Sequence, residues 1–300
     1  MSEILARPLV TYILLSYNHA AYVTAAIESI VKQDYSPIQL IVIDDGSTDG
    51  SVDLLCKLQD KYRFELISQK NVGVVSALNR GIQLAKGAFI VPHASDDVSQ
   101  PGRTAEQVKL LLQNENAGFT VGGIRKISTE GEVLEDWQKH ERFFTSFEDF
   151  VAGRGKAVAV SCMYRASALQ RVGMLDERLS FEDVQLYWRV TELGYACLVD
   201  TSVRAVDYRI VPGSLGRRNM VPHRKSFLIL LERYSDKSWY PNLRSKAVTA
   251  LFGSLAENDR MAAIKYLFRN FCDLHFPSLH RPIIKLIVPQ FLLLKLKKKF

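Results

Sequence analysis

Residues 87–98 read GAFIVPHASDDV. Ala88, Phe89, Ile90 and Val91 form a short apolar run of the kind that makes a buried strand, and Gly87 suits the stop of a preceding helix. The run leads into two adjacent carboxylates, Asp96 and Asp97. Two like charges side by side repel, and each favours protonating the other unless a cation offsets them.

Reading outward from that strand gives a regular alternation. Leu9–Leu15 (LVTYILL) and Ile38–Ile43 (IQLIVI) are β-branched and apolar enough to be buried strands, and Phe64–Ile67 is a third short one. Between them, Ala20–Lys32 carries Ala26, Ile27, Ile30 and Val31 at helical spacing. Val52, Leu55 and Leu58 mark a second helix, and Val75–Ala85 a third. Strands alternating with helices predict an α/β layer fold around a parallel sheet. In such sheets ligands bind outside the carboxyl ends of the strands. The loops DDGSTDG (44–50) and ASDDV (94–98) both fall there.

After about residue 120 the alternation fades. TVGGIRKISTEGEVL (120–134) reads as two strands around a Glu130–Gly131 turn, and Val158–Arg165 as another strand. Phe181–Leu193 reads as a helix stopping at Gly194, followed by short strands at Cys197–Val199 and Val203–Tyr208. From about residue 224 the pattern is helical.

Each acidic pair has two readings. For Asp96 and Asp97, a cap of the next helix (Thr104–Leu112, with Pro101 in its first turn) would fall at Ser99 or Gln100, so the pair comes too early to cap. It then binds a ligand or a divalent metal, or lies on a solvated turn. For Asp44 and Asp45, the following helix is better capped by Asp49 or Ser47. That leaves the pair at the strand end, where a carboxylate can accept hydrogen bonds from a base or ribose. Glu182 and Asp183 open a helix, where acids favour the macrodipole and Ser180 with Asp183 mimics a capping box. On residue logic alone, that last pair is structural.

The chain has 300 residues, 47% hydrophobic and 24% charged, enough apolar material for a large core, and a formal charge of +7. The charge suits nucleic acid, an anionic membrane or a phosphate-bearing ligand. Nucleic-acid binding is disfavoured because basic and aromatic residues are not interleaved in a recognisable motif. Cys56, Cys162, Cys197 and Cys272 form no CxxC pair and read as buried free thiols; with no clustering of histidines, no zinc site is expected. The N-terminus lacks the pattern of a signal peptide, and no run is long enough to span a bilayer.

Taken together, LLSYNHAAYVTAAIESIVKQDY (14–35), LIVIDDGSTDGS (40–51), NVGVVSALNRGIQLAKGAFIVPHASDD (71–97) and GMLDERLSFEDVQLYWRVTELGY (173–195) resemble the family 2 glycosyltransferases. The likeness spans roughly residues 8–215. It implies a GT-A fold, that is, a Rossmann-like, mostly parallel central sheet flanked by helices. Residues 1–215 would be the catalytic domain, with a nucleotide-sugar half to about 120 and an acceptor half from 121. Residues 216–300 would be a helical extension.

The resemblance also implies roles. Ser16 and Tyr17 would border the nucleotide base, and Asp45 would hydrogen-bond a uracil- or thymine-type base with Asp44 supporting its loop. Asn71, Gly73, Asn79 and Arg80 match the loop and helix beneath the donor. Asp97 would ligate Mg or Mn, and Asp96 the ribose or the metal. Asp183 would be the catalytic base. Tyr208 and Arg209 resemble the segment that closes over the diphosphate, and Arg217, Arg218 and His223 are further candidate cations. The implied activity is inverting transfer of a hexose from a UDP- or dTDP-type sugar to a glycan or lipid-linked acceptor, in bacterial surface polysaccharide or glycolipid assembly.

Two departures matter. Ser95 stands where a DxD-type motif often has a carboxylate. The QxxRW motif of processive synthases is absent, with Gln185-Leu186-Tyr187-Trp188-Arg189 in its region, so a non-processive enzyme is expected. A nucleotidylyltransferase would need a glycine-rich loop near the first strand, and LLSYNHAAY has none. A dinucleotide oxidoreductase fails for want of GxGxxG. A non-catalytic sugar-nucleotide-binding protein of the same fold stays open. The last 20 residues hold Arg281, Lys285, Lys295, Lys297, Lys298 and Lys299 and no acid. With the apolar run between them, they suggest a cationic segment on an anionic membrane surface, or a helix packed on the protein. The expected location is the cytoplasm, with that tail at the inner face of the membrane.

Overall fold

The computed structural model describes residues 7–137, 139–211, 220–274 and the single positions 279, 282, 283 and 286. Its described residues divide into two compact units, 7–177 with 182–211, and 178–181 with those from 220 onward.

The first unit opens β1 (Val10–Ser16), α1 (Val23–Val31), β2 (Ile38–Asp44), α2 (Ser51–Tyr62), β3 (Glu65–Ser68), α3 (Val74–Leu84) and β4 (Phe89–Ala94). These four strands pair in parallel, in the order β3-β2-β1-β4. The apolar runs form strands because both faces are covered: Tyr12, Leu14, Val42 and Val91 pack in one core with Val23, Ala26, Ile27 and Ile30 of α1, and Ile13 and Ile41, pointing the other way, are buried too. Gly81 lets α3 approach the sheet, since a Cβ there would stand 2.3 Å from Ile13 Cγ2. The chain runs outward from β1 to β3, then crosses back to place β4 on the other side of β1. The strand order therefore reverses between β1 and β4, and the crevice at their carboxyl ends is where such sheets bind ligands.

The second half of the unit makes the sheet mixed. β5 (Val98–Ser99), α4 (Arg103–Gln113), β6 (Ala117–Ile127), β7 (Val133–Glu135), β8 (Arg142–Thr145), α5 (Phe147–Val151), β9 (Cys162–Arg165), α6 (Ala166–Val172), α7 (Asp183–Glu192) and β10 (Ala196–Arg209) follow. β9 runs antiparallel between β4 and β6, while β6 and β10 are parallel.

Several local expectations change. The strand expected from Val158 begins only at Cys162, after a tight 3₁₀ turn at Ala159–Ser161. The two short strands after Cys197 are one strand of 14 residues with register irregularities around Asp200–Arg204. Asp200 Oδ1 accepts from Ser202 N at 3.1 Å and Ser202 Oγ at 2.6 Å, which holds the kink. Gly122 and Gly123 let the kinked backbone come close, because a Cβ at Gly123 would meet Thr201 O at 2.6 Å. The helix after the acidic pair is preceded by Gly102 (φ 80°) rather than capped by Ser99 or Gln100, because 98–99 is a strand paired with β10. α2 is preceded by Gly50 without a side-chain cap; Asp49 instead accepts from Ser51 N at 3.0 Å. Cys162 and Cys197 are buried as expected, whereas Cys56 and Cys272 are exposed, Cys56 lying off the buried Ser51, Leu55 and Leu58 face of α2.

The second unit holds α8 (Val221–Glu232), α9 (Tyr240–Asn258) and α10 (Arg260–Arg269) around Val248, Leu251, Phe252, Leu255 and Ala263. None of the described helices is long and apolar enough to cross a membrane. Arg217, Arg218 and nearly all of the tail from 281 lie outside the described residues.

Candidate active site

The carboxyl ends of β2 and β4 carry the acidic loops, and the loop after β1 lies beside them. The β1 and β2 loops are stitched together: Asn18 N donates to Ser47 Oγ at 2.8 Å, Thr48 N to Asn18 Oδ1 at 2.8 Å, and Ala20 N to Asp49 Oδ2 at 2.9 Å. Asp44 is fully buried and accepts from Ser47 N at 2.9 Å and Ser47 Oγ at 2.5 Å, which closes its own loop. Asp45 accepts from Gln69 Nε2 at 2.9 Å, Val72 N at 3.0 Å and Gly73 N at 2.8 Å. Its carboxylate thus holds the turn leading into α3. Gly46 (φ 83°) is required there, since a Cβ would lie 2.8 Å from Asn71 N. Ser16 is buried with its Oγ unpartnered, and Tyr17 beside it is half exposed.

Asn79 and Arg80 have different surroundings. Asn79 is buried, and its amide brackets the 175–177 segment. Nδ2 donates to Leu175 O at 3.0 Å and Glu177 Oε1 at 2.9 Å, and Oδ1 accepts from Leu175 N at 2.9 Å. Arg80 is exposed and donates to Gln69 Oε1 at 2.7 Å. Asn79 therefore braces the chain leading toward Asp183, while Arg80 supports the side chain that bonds Asp45.

At the end of β4, Asp97 is 1% exposed. Its Oδ1 accepts from Arg209 N at 2.8 Å, and its Oδ2 is buried without a hydrogen-bond partner. Burial, and then the charge of Asp96, push the Asp97 carboxyl well above the usual range. Asp96 is also raised by burial, opposed by His19, whose Nδ1 lies 3.8 Å from Asp96 Oδ1. Ser95, in the place of a further carboxylate, pairs with His19 Nδ1 at 2.8 Å. No cluster of three or more metal-ligating side chains occurs among the described residues. Two carboxylates, one with an orphaned buried oxygen, fit a hard divalent cation that completes its coordination with water and substrate phosphates.

Arg209 is buried at the end of β10. Nε donates to Asp96 O at 2.9 Å and Nη1 to Ser128 O and Thr129 O, each at 2.9 Å; its guanidinium lies 4.9 Å from the Tyr22 ring centroid. These contacts hold the acidic loop against β10 and the β6–β7 turn.

Arg103 carries no prediction from the sequence, yet it is fully buried and its charge acts on Asp97. Nε donates to Gln107 Oε1 at 3.0 Å, Nη1 to Ser99 Oγ at 3.0 Å, and Nη2 to Val160 O at 3.0 Å and Cys162 O at 3.2 Å. Its charge favours ionised Asp97. One signal was available: a cation in the first turn of a helix opposes the macrodipole, which marks a residue with some other set of acceptors. His93, next to it, is buried and pushed down to about 3 by burial and then by Arg103, so it is neutral near pH 7.

Asp183 begins α7 and accepts from Val184 N at 2.7 Å. The expected Ser180 cap does not form. Ser180 Oγ is paired with His223 Nδ1 at 2.8 Å, and no side-chain cap precedes the helix. Burial and then Asp183 raise Glu182 to about 7. The Asp183 charge also acts on Cys162, whose thiol burial pushes up to about 12, and on Tyr164 and Tyr187. Cys162 is the residue whose carbonyl Arg103 holds, and Arg103 in turn acts on Asp97. The arrangement can bind a phosphate-bound cation at 96–97 and offer a carboxylate for proton transfer at 183.

Residues 11–177 match the family model described as glycosyl transferase family 2. The chain is 26% identical over 278 residues to EpsH of Bacillus subtilis (strain 168), covering 89% of this chain and 75% of EpsH. It is 22% identical over 278 residues to a poly-beta-1,6-N-acetyl-D-glucosamine synthase of Staphylococcus epidermidis, covering 89% of this chain and 64% of that protein. The fold is similar to that of S. aureus TarS residues 1–349 crystallised with UDP-GlcNAc. The TM-score is 0.66 at 15% identity, over 93% of this chain and 88% of that one.

Proposed function

The chain belongs to glycosyl transferase family 2 and is a glycosyltransferase with a GT-A fold, and on that premise we propose that it moves a sugar from a nucleoside-diphosphate donor to an acceptor hydroxyl with inversion at the anomeric carbon. The observation that carries the reading is the orphaned, buried Oδ2 of Asp97 beside Asp96 at the crevice between β1 and β4. A uridine-type donor is supported by the UDP-GlcNAc in TarS, and a growing glycan acceptor by the synthase relative.

In this reading the half-exposed Tyr17 and the orphaned Ser16 Oγ face the nucleoside, and the Asp45-braced turn through Asn71 and Gly73 borders it. Asp96 and Asp97 hold a divalent cation, Mg or Mn. When bound, it supplies positive charge to the diphosphate as negative charge develops on the leaving group. Arg209 keeps the two carboxylates in place, and the charge of Arg103 favours ionised Asp97. Asp183 accepts the proton of the acceptor hydroxyl as its oxygen bonds the anomeric carbon and the bond to the diphosphate oxygen breaks.

A panel of nucleotide sugars tests this, with Mn-dependent thermal stabilisation read alongside nucleoside diphosphate release in the presence of glycan acceptors. Stabilisation and turnover by a uridine or thymidine diphosphate sugar are expected. Stabilisation without release or transfer for any donor would instead identify a non-catalytic binding protein. No cation-dependent stabilisation by any donor would overturn the reading.

A further inference from the structure

The second unit has an exposed apolar surface to which the proposed reaction assigns no role. α10 packs inward through Ala263, fully buried, with Tyr266 and Leu267 against the Val248–Phe252–Leu255 core. On its other side Met261 is 63% exposed, Ile264 38% and Phe268 81%, and Phe271 just beyond the helix is 53% exposed. Positions 261, 264 and 268 are spaced to form one stripe along a helix. Lys265 and Arg269, both exposed, border it.

The nearby carboxylates are committed elsewhere. Asp259 caps the helix, accepting from Ala262 N at 2.9 Å, and Asp273 pairs with Arg244 Nη1 at 2.7 Å. None of the described ion pairs includes Lys265 or Arg269. The sequence from 281 to 300 adds six more basic residues and no acid.

We propose that this face of α10 is a docking surface for an anionic lipid bilayer, with Met261, Ile264 and Phe268 entering the interface and Lys265 and Arg269 meeting the headgroups. A bulky apolar stripe edged by cations is the pattern of a helix lying in the plane of the interface. A second copy of the chain fits less well. Two such faces brought together oppose their own cations. The four apolar side chains also present on the order of 500 Å², below the roughly 800 Å² per partner of a stable interface.

The inference is independent of the donor chemistry, and its test reads no sugar transfer. Full-length protein is sedimented with vesicles of phosphatidylcholine, with and without phosphatidylglycerol, at low and high salt. Binding is expected only with phosphatidylglycerol, and weaker at high salt. Met261→Ser/Ile264→Ser/Phe268→Ser is expected to weaken binding by about 100-fold or more. Lys265→Glu/Arg269→Glu replaces exposed charges, so it reads the surface even if the first variant folds poorly, and is expected to weaken binding at least roughly tenfold. Lys295→Gln/Lys297→Gln/Lys298→Gln/Lys299→Gln separates the tail's contribution. The proposal is overturned if wild type ignores phosphatidylglycerol vesicles. It is also overturned if the α10 variants bind as wild type while the tail variant does not, or if the stripe instead drives dimerisation without vesicle binding.

Discussion

The backbone N–H of Arg209 donates to Asp97 Oδ1 at 2.8 Å, joining residues 112 apart in sequence. This bond orients the carboxylate and leaves its second oxygen buried and unpaired. The protein thus holds a desolvated carboxyl whose ionised form has a cation as its natural complement. Asp97→Asn removes the ionisable group while keeping an acceptor for the Arg209 N–H. The ligand-free variant is expected to melt no lower than wild type, because burial already opposes ionisation of the native carboxyl and the amide carries no charge to desolvate. Its stabilisation by Mn with donor should vanish and its turnover fall by about 100-fold or more. Wild-type cation dependence in this variant would remove the metal role.

Asp183 has a separable task. A general base contributes roughly 10²–10⁴-fold to rate. Asp183→Asn should lower turnover by about that factor and leave donor affinity near wild type, measured by calorimetry against the intact donor. A variant that loses donor binding in proportion to rate would show Asp183 to be a binding residue instead.

Glu182 supplies a pH dependence of stability. Its folded pKa is raised from 4.5 to about 7, by burial first and Asp183 second. Between those values the folded protein holds a proton that the unfolded chain has released. Stability is therefore full below about pH 4.5 and declines as pH rises to about 7, by about 3 kcal/mol in all, and levels off above that. Glu182→Gln should abolish this part of the slope, so that its melting temperature gains on wild type from pH 5 to 8. Parallel curves for the two proteins over that range would show that Glu182 ionises normally.

Arg103 joins α4 to Ser99 of β5 and to the carbonyls of Val160 and Cys162. Arg103→Met takes a donor from each of those acceptors and withdraws the positive charge that acts on Asp97. A loss of about 3–5 kcal/mol in urea unfolding is expected. Arg103→Lys should recover only part of it, because an ammonium cannot reproduce the fork that reaches four acceptors. Full rescue by lysine would mean that charge alone matters there.

How much could be read in advance varied with the range of the interaction. Helices α1 and α3 and strands β1, β2 and β4 declared themselves through local periodicity, since each buries apolar residues next to it in the chain. The strand through 196–209 did not, because Asp200, Thr201 and Ser202 break its apolar pattern and only the room beside Gly122 and Gly123 keeps that backbone in the sheet. Ser180 matched a cap by spacing, but His223 holds its hydroxyl. Asp45 stood out as a strand-end acid, yet its three partners lie 24 to 28 residues away.

The order of strands and helices, the acidic ends of β2 and β4 and the family were in the residues themselves, because alternation and motif spacing are properties of neighbouring positions. Tertiary structure decided which carboxylate oxygens are occupied, that a buried arginine bears on Asp97, and that α10 leaves Phe268 exposed. Those depend on which distant groups compete for the same donors and the same buried surface, and that competition exists only once the chain has closed on itself.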